Sequence, residues 1–230
     1  TGIGFNPKKV AAVMGPDFKL DSWDAVLKPE NLSKLKKCGV SFLNAPTEIM
    51  ATVLHYIGKD PNSTNPDDYK EAGKVLTSLR PYISYFHSSQ YINDLANGDI
   101  CVAIGWSGDV MQAAKRAKEA KNGVAVDYVI PKEGTLVFYD MLAIPADAKH
   151  PENAHAFINY LMRPEVIAKV SNYVSYASGN AASLPMVDES IRNNPNIYPP
   201  AELKAKMFTL KVLPAKINRE ITREWTKVKT

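Results

Sequence analysis

Two aromatic–acid groupings carry the chemistry this sequence offers. Trp106-Ser107-Gly108-Asp109 follows the apolar run Ile100-Cys101-Val102-Ala103-Ile104-Gly105, and Phe138-Tyr139-Asp140 lies inside a second apolar run, 136–144. An indole face beside a fixed carboxylate suits an alkyl ammonium ion. The carboxylate takes charge-assisted hydrogen bonds, while the ring supplies cation–π attraction and covers the methylenes. Asp109 adjoins an expected helix start, where the helix dipole favours an anion. Asp140 would sit inside a strand, and a charge there must find a partner or face a cavity. Glu48, just after Asn44-Ala45-Pro46 at another helix start, offers a third anionic wall. Each has a plainer alternative: a capping Asp beside a packed Trp, a structural salt bridge for Asp140, and a dipole-favoured acid for Glu48. Two such pairs near different strands are parts of a cleft for a cation charged at both ends.

Other chemistries find less support. Gly105-Trp106-Ser107-Gly108-Asp109 approaches the G-x-S-x-G nucleophile elbow but has Asp where the last glycine is needed. Neither a phosphate-binding G-x-x-x-x-G-K-[ST] loop nor a strand-following G-x-G-x-x-G occurs, so no nucleotide cofactor is expected. His55, His87, His150 and His155 are dispersed, and no metal site is expected. The rival reading from another class is a glycosidase that uses two of Glu48, Asp109 and Asp140 as acid and base. Cys38 and Cys101 lie outside any C-x-x-C motif and fit either one disulfide or two unrelated buried thiols. If paired, they would close a loop of about sixty residues, which loop entropy values at about 4 kcal/mol. Such a bridge belongs in an oxidising compartment.

The elements that must position these residues are well punctuated. Pro29 opens a helix that ends before Gly39, the proline-first, glycine-last asymmetry. Helices are expected at 47–57, from Pro66 behind an Asn65 cap to Arg80, at 91–97, at 110–122, and from Pro151 and Pro164. The helix at Pro151 should turn Ala154, Phe157, Ile158 and Leu161 inward. Shorter helical pieces fall at 188–192, 201–207 and 219–228. Strands are expected at 40–43, 99–105, 124–130 and 136–144, the second buried on both faces. This alternation predicts an α/β fold with a mostly parallel sheet, in which ligands bind beyond the carboxyl ends of the strands. In 230 residues the 28 lysines and arginines barely exceed 24 acids and are scattered, which argues against a nucleic-acid partner. No run of eighteen apolar residues could span a membrane. The first residues, Thr1-Gly2-Ile3-Gly4-Phe5, read as the interior of a strand, and a preceding segment is expected.

Several stretches resemble the periplasmic polyamine-binding proteins of bacterial ABC importers. They include Ser22-Trp23-Asp24, Leu27-Lys28-Pro29-Glu30-Asn31, Cys38-Gly39-Val40-Ser41-Phe42-Leu43 and Gly58-Lys59-Asp60-Pro61-Asn62-Ser63-Thr64. The segment from Tyr85-Phe86-His87-Ser88-Ser89-Gln90 to Ala103-Ile104-Gly105-Trp106 continues the resemblance, as do Ile130-Pro131-Lys132-Glu133-Gly134, Asn196-Ile197-Tyr198-Pro199-Pro200 and the Trp225-Thr226-Lys227-Val228-Lys229 tail. The resemblance implies an α/β fold of the type II periplasmic-binding-protein kind, a two-lobe clamp with the N-terminal part of the first lobe absent. Residues 1–125 and 178–230 would form the second lobe, and 126–177 a returning fragment of the first. It implies that Glu48, Trp106, Asp109, Phe138, Asp140 and Tyr176 line the ligand site, Tyr176 on this ground alone. It also implies a Cys38–Cys101 disulfide, a polyamine ligand (putrescine first, spermidine second) and an ABC permease as membrane partner. The protein would be periplasmic, non-enzymatic and monomeric when full length. A receptor-coupled polyamine sensor is the remaining alternative.

Overall fold

The computed structural model describes all residues, 1–230, which fall into two compact units. Unit 1 comprises Thr1–Val137 and Ala201–Thr230, and unit 2 comprises Phe138–Pro200. The sequence reading divides the chain at 125/126 and 177/178 instead. The strand at 127–129 pairs with residues 3–5 inside unit 1.

Unit 1 begins with β1 (Gly2–Phe5), α1 (Pro7–Met14), α2 (Asp24–Leu27), α3 (Pro29–Leu35) and β2 (Val40–Phe42). There follow α4 (Pro46–Tyr56), α5 (Pro66–Leu79), β3 (Tyr85–Phe86), α6 (Gln90–Asn97), β4 (Val102–Gly105), α7 (Ser107–Ala120) and β5 (Asp127–Val129). Prolines at the first helical position start α1, α3, α4 and α5, where the missing N–H costs nothing. The Asn65 side chain accepts the Asp67 N–H and caps α5 as its sequence suggests.

The sheet order is β3-β2-β4-β1-β5. The expected mostly parallel sheet needs correction: β2 is parallel to β3 and β4, but β1 is antiparallel to both β4 and β5. Hydrophobic periodicity fixes which residues are buried, not the direction of pairing. Because both neighbours oppose β1, the other four strands still run the same way. Their carboxyl ends share one edge, together with the amino end of β1, where Gly2 pairs with Gly105.

The core holds Trp23, Leu32, Leu35, Phe42, Leu43, Met50, Leu54, Tyr69, Leu76 and Tyr91, all essentially inaccessible. Helix α12 (Ala215–Lys229) returns to pack on α4 and α5. Cys38 and Cys101 form a disulfide with Cα atoms 5.4 Å apart, tying the turn after α3 to the entrance of β4.

Unit 2 contains α8 (Pro151–Leu161), α9 (Pro164–Val174), a 3₁₀ run at Ala181–Met186 and α10 (Glu189–Arg192), while α11 (Ala201–Lys204) belongs to unit 1. Two expectations fail here. Only Leu136 of the predicted strand 136–144 pairs, as an isolated bridge to Phe208, and 137–144 is irregular. No residue of α8 is buried, and Phe157, expected inward, is 57% exposed.

Candidate functional site

The shared strand edge in unit 1 gathers three of the six predicted site residues. Strands β2 and β4 are adjacent and parallel, and each runs through a short turn into a helix. Glu48 lies in the first turn of α4, and Asp109 in the first turn of α7. Two exposed N–H ends and their aligned dipoles thus sit side by side, each provided with a carboxylate. Helix α7 starts at Ser107, three residues before the expected start. Trp106 keeps an extended backbone, with ψ near 142°, and the helix follows at once.

Trp106 and Glu48 meet directly. The indole N–H donates to Glu48 Oε2 at 3.0 Å, and the same oxygen accepts the Thr1 hydroxyl at 3.0 Å. A neutral donor on a carboxylate is a charge-assisted bond, with a net contribution of about 1.5–3 kcal/mol, so it fixes the indole plane. Trp106, Glu48 and Asp109 are all half-buried.

A fourth residue, Tyr91 of α6, completes the arrangement. Its hydroxyl donates to Asp109 Oδ2 at 2.9 Å and accepts the Trp106 backbone N–H at 3.1 Å. Its ring is wholly buried. A Cβ on Gly105 would stand 2.6 Å from a ring carbon of Tyr91, so this strand-end glycine gives the ring its place. Sequence reasoning missed Tyr91, which looks like one more apolar-face residue of an amphipathic helix. The one available signal was a glycine ending an otherwise bulky buried strand.

Helix α6 is itself held at this edge. His87 Nδ1 accepts the Gln90 N–H at 2.9 Å and the Ser89 N–H at 3.1 Å, a side-chain cap at the start of the helix. Tyr85 donates to Asp94, and burial followed by that hydrogen bond pushes the Tyr85 phenol well above its ordinary range. The phenol therefore keeps its proton and its donor role.

Unit 2 carries the other three predicted residues. Phe138 and Tyr176 meet edge to face, with centroids 6.1 Å apart and planes at 68°. Asp140 is exposed on the irregular segment, so the expectation of a charge buried within a strand is corrected: there is no strand to bury it. The continuous apolar run around it misled, because Tyr139, Met141 and Leu142 are 69%, 85% and 59% exposed.

No group of three or more His, Cys, Asp or Glu side chains is placed to hold a metal ion. No helix is long and apolar enough to cross a membrane. At the unit 1 edge two carboxylates and an indole are oriented by hydrogen bonds: Glu48 accepts the Trp106 indole N–H, and Asp109 accepts the Tyr91 hydroxyl.

The chain is 63% identical over its whole length to the putrescine-binding periplasmic protein PotF of Escherichia coli, and 56% identical to the putrescine-binding periplasmic protein SpuD of Pseudomonas aeruginosa. It spans 62% of the length of each. Its fold matches the crystal structure of the spermidine/putrescine ABC transporter substrate-binding protein PotD of Streptococcus pneumoniae with a TM-score of 0.78. That match has 21% identity and covers 99% of this chain and 65% of the other. The family described as bacterial extracellular solute-binding protein matches residues 5–199, 195 of the 230 residues, and the chain belongs to that family.

Proposed function

We propose that this protein binds a polyamine in the periplasm, putrescine first and spermidine second, and delivers it to a membrane ABC permease without catalysing a reaction. Glu48, Trp106 and Asp109 in unit 1, with Phe138, Asp140 and Tyr176 in unit 2, are the proposed ligand contacts. The aromatic rings cover the methylene chain and the carboxylates take the ammonium groups. The protein acts as a monomer. The two-lobe reading, 1–125 and 178–230 against 126–177, belongs to the same proposal.

The observation that carries it is the pair of carboxylates in the first turns of α4 and α7, the helices that follow the adjacent parallel strands β2 and β4, with the Trp106 indole hydrogen-bonded to one of them. Relatives named as putrescine-binding periplasmic proteins, at 63% and 56% identity, support the choice of ligand. The glycosidase alternative has no comparable support. Calorimetry with putrescine on the full-length protein tests the proposal. Asp109→Ala and Asp140→Ala should each weaken binding by about 2–5 kcal/mol, a rise in Kd from about thirtyfold to several thousandfold. Unchanged affinity in both variants would refute the site. Turnover of a glycoside, abolished by Asp140→Asn, would replace binding with hydrolysis.

A further inference from the structure

We infer that Tyr91, supported by Gly105, is a positioning residue that sets the orientation of the Asp109 carboxylate for an ammonium group; this rests on the polyamine reading above. The hydroxyl has one hydrogen to give. It accepts the Trp106 N–H at 3.1 Å, and that contact directs its own hydrogen at Asp109 Oδ2, 2.9 Å away. One oxygen thereby ties the backbone under the indole to the carboxylate, so the aromatic and the acid move as one body.

Three features keep this hydroxyl from wandering. The ring is wholly buried. The space it fills exists only because position 105 lacks a side chain, since a Cβ there would lie 2.6 to 3.1 Å from Tyr91 ring carbons and the hydroxyl. The first turn of α6, which carries Tyr91, is capped by His87 and braced by the Tyr85 hydrogen bond to Asp94. A site residue held by a locked neighbour is preorganised, and ligand binding then need not spend free energy on ordering it. Glu48 depends on a different support, the Trp106 indole N–H, whereas Asp109 is held by the Tyr91 hydroxyl, which itself accepts the Trp106 backbone N–H.

The test is a double-variant cycle read by putrescine calorimetry on the full-length protein, using wild type, Tyr91→Phe, Asp109→Asn and the double variant. Removing the hydroxyl should raise Kd about tenfold in the wild-type background, the size of one hydrogen bond. In the Asp109→Asn background the same change should have less than about a twofold effect, because interacting sites fail to add. Equal losses in both backgrounds would mark Tyr91 as merely structural and overturn the inference, as would a Tyr91→Phe variant that binds like wild type. If Tyr91→Phe does not fold, 4-aminophenylalanine at position 91 keeps a donor toward Asp109. It should bind within about threefold of wild type, and a tenfold or larger loss there counts against the inference. Wild-type protein that takes up no diamine at all refutes the polyamine reading itself, and this inference falls with it.

Discussion

The two units spend their apolar residues differently. Unit 1 encloses Trp23, Phe42, Tyr69 and Tyr91 completely, whereas the buried apolar residues of unit 2 are only Ala168, Val187, Ile191 and Ile197. Unit 2 instead leaves Met141 85% and Tyr173 80% exposed. The candidate site residues follow the same divide. Glu48, Trp106 and Asp109 stand on a sheet edge and are fixed by bonds from buried or half-buried donors. Asp140 stands exposed on an irregular segment. A carboxylate is only as well placed as the packing beneath it, and in unit 1 that packing is a closed core.

The widest gap should appear when large side chains are truncated. Trp23 is inaccessible and donates its indole N–H to the Gly134 carbonyl at 2.9 Å. Trp23→Ala should cost about 3–5 kcal/mol in urea unfolding, through a cavity and a carbonyl left unpaired. Phe157→Ala in α8 should stay within about 0.5 kcal/mol, because that ring already meets solvent. Equal losses would mean that unit 2 owns a core that the burial pattern does not show.

The disulfide ranks next and lies wholly in unit 1. Thiol reagents should label neither cysteine until a reductant is added. Reduction should then lower stability by about 2–4 kcal/mol, in keeping with a closed loop spanning a separation of 63 residues. Immediate labelling of both cysteines would remove the bridge from the account. Unfolding that leaves the β2–β4 region intact after reduction would show that the core alone holds the site edge.

How much of this could be read beforehand follows the same divide. Prolines at helix starts and the apolar run into Gly105 placed α3, α5, α8, α9 and β4, and with them the Trp106–Asp109 loop, because capping and burial leave local marks. The direction of β1 left no such mark, since a strand reads the same whichever way its neighbours run. Residues 136–144 look like a buried strand because an apolar run does not say whether anything pairs with it. The stripe Ala154, Phe157, Ile158 and Leu161 is a genuine helical period, yet period alone names no surface to bury it against. Tyr91 was out of reach for a related reason: its role comes from Gly105 and Asp109, fourteen and eighteen positions away, and is visible only once β4 and α6 are packed.

The smallest expected effect sharpens the claim that unit 1 is held by its interior. Asp24 receives hydrogen bonds from the Lys28 ammonium and the Tyr56 hydroxyl, and these hold its carboxyl below the usual carboxylate range, Lys28 being the larger cause. A depressed folded value means that the charged form favours the folded state. The contribution is therefore complete above the unfolded value near 4 and is lost as pH falls through the folded one. Both partners of the ion pair are more than 40% exposed, and solvent screens most of what they could contribute. Asp24→Asn should lower the melting temperature only slightly at pH 7, and the difference from wild type should close as pH drops below about 4. A loss at pH 7 as large as that of Trp23→Ala would place the stability of unit 1 in its surface ions, and the contrast with unit 2 would then need a basis other than buried area.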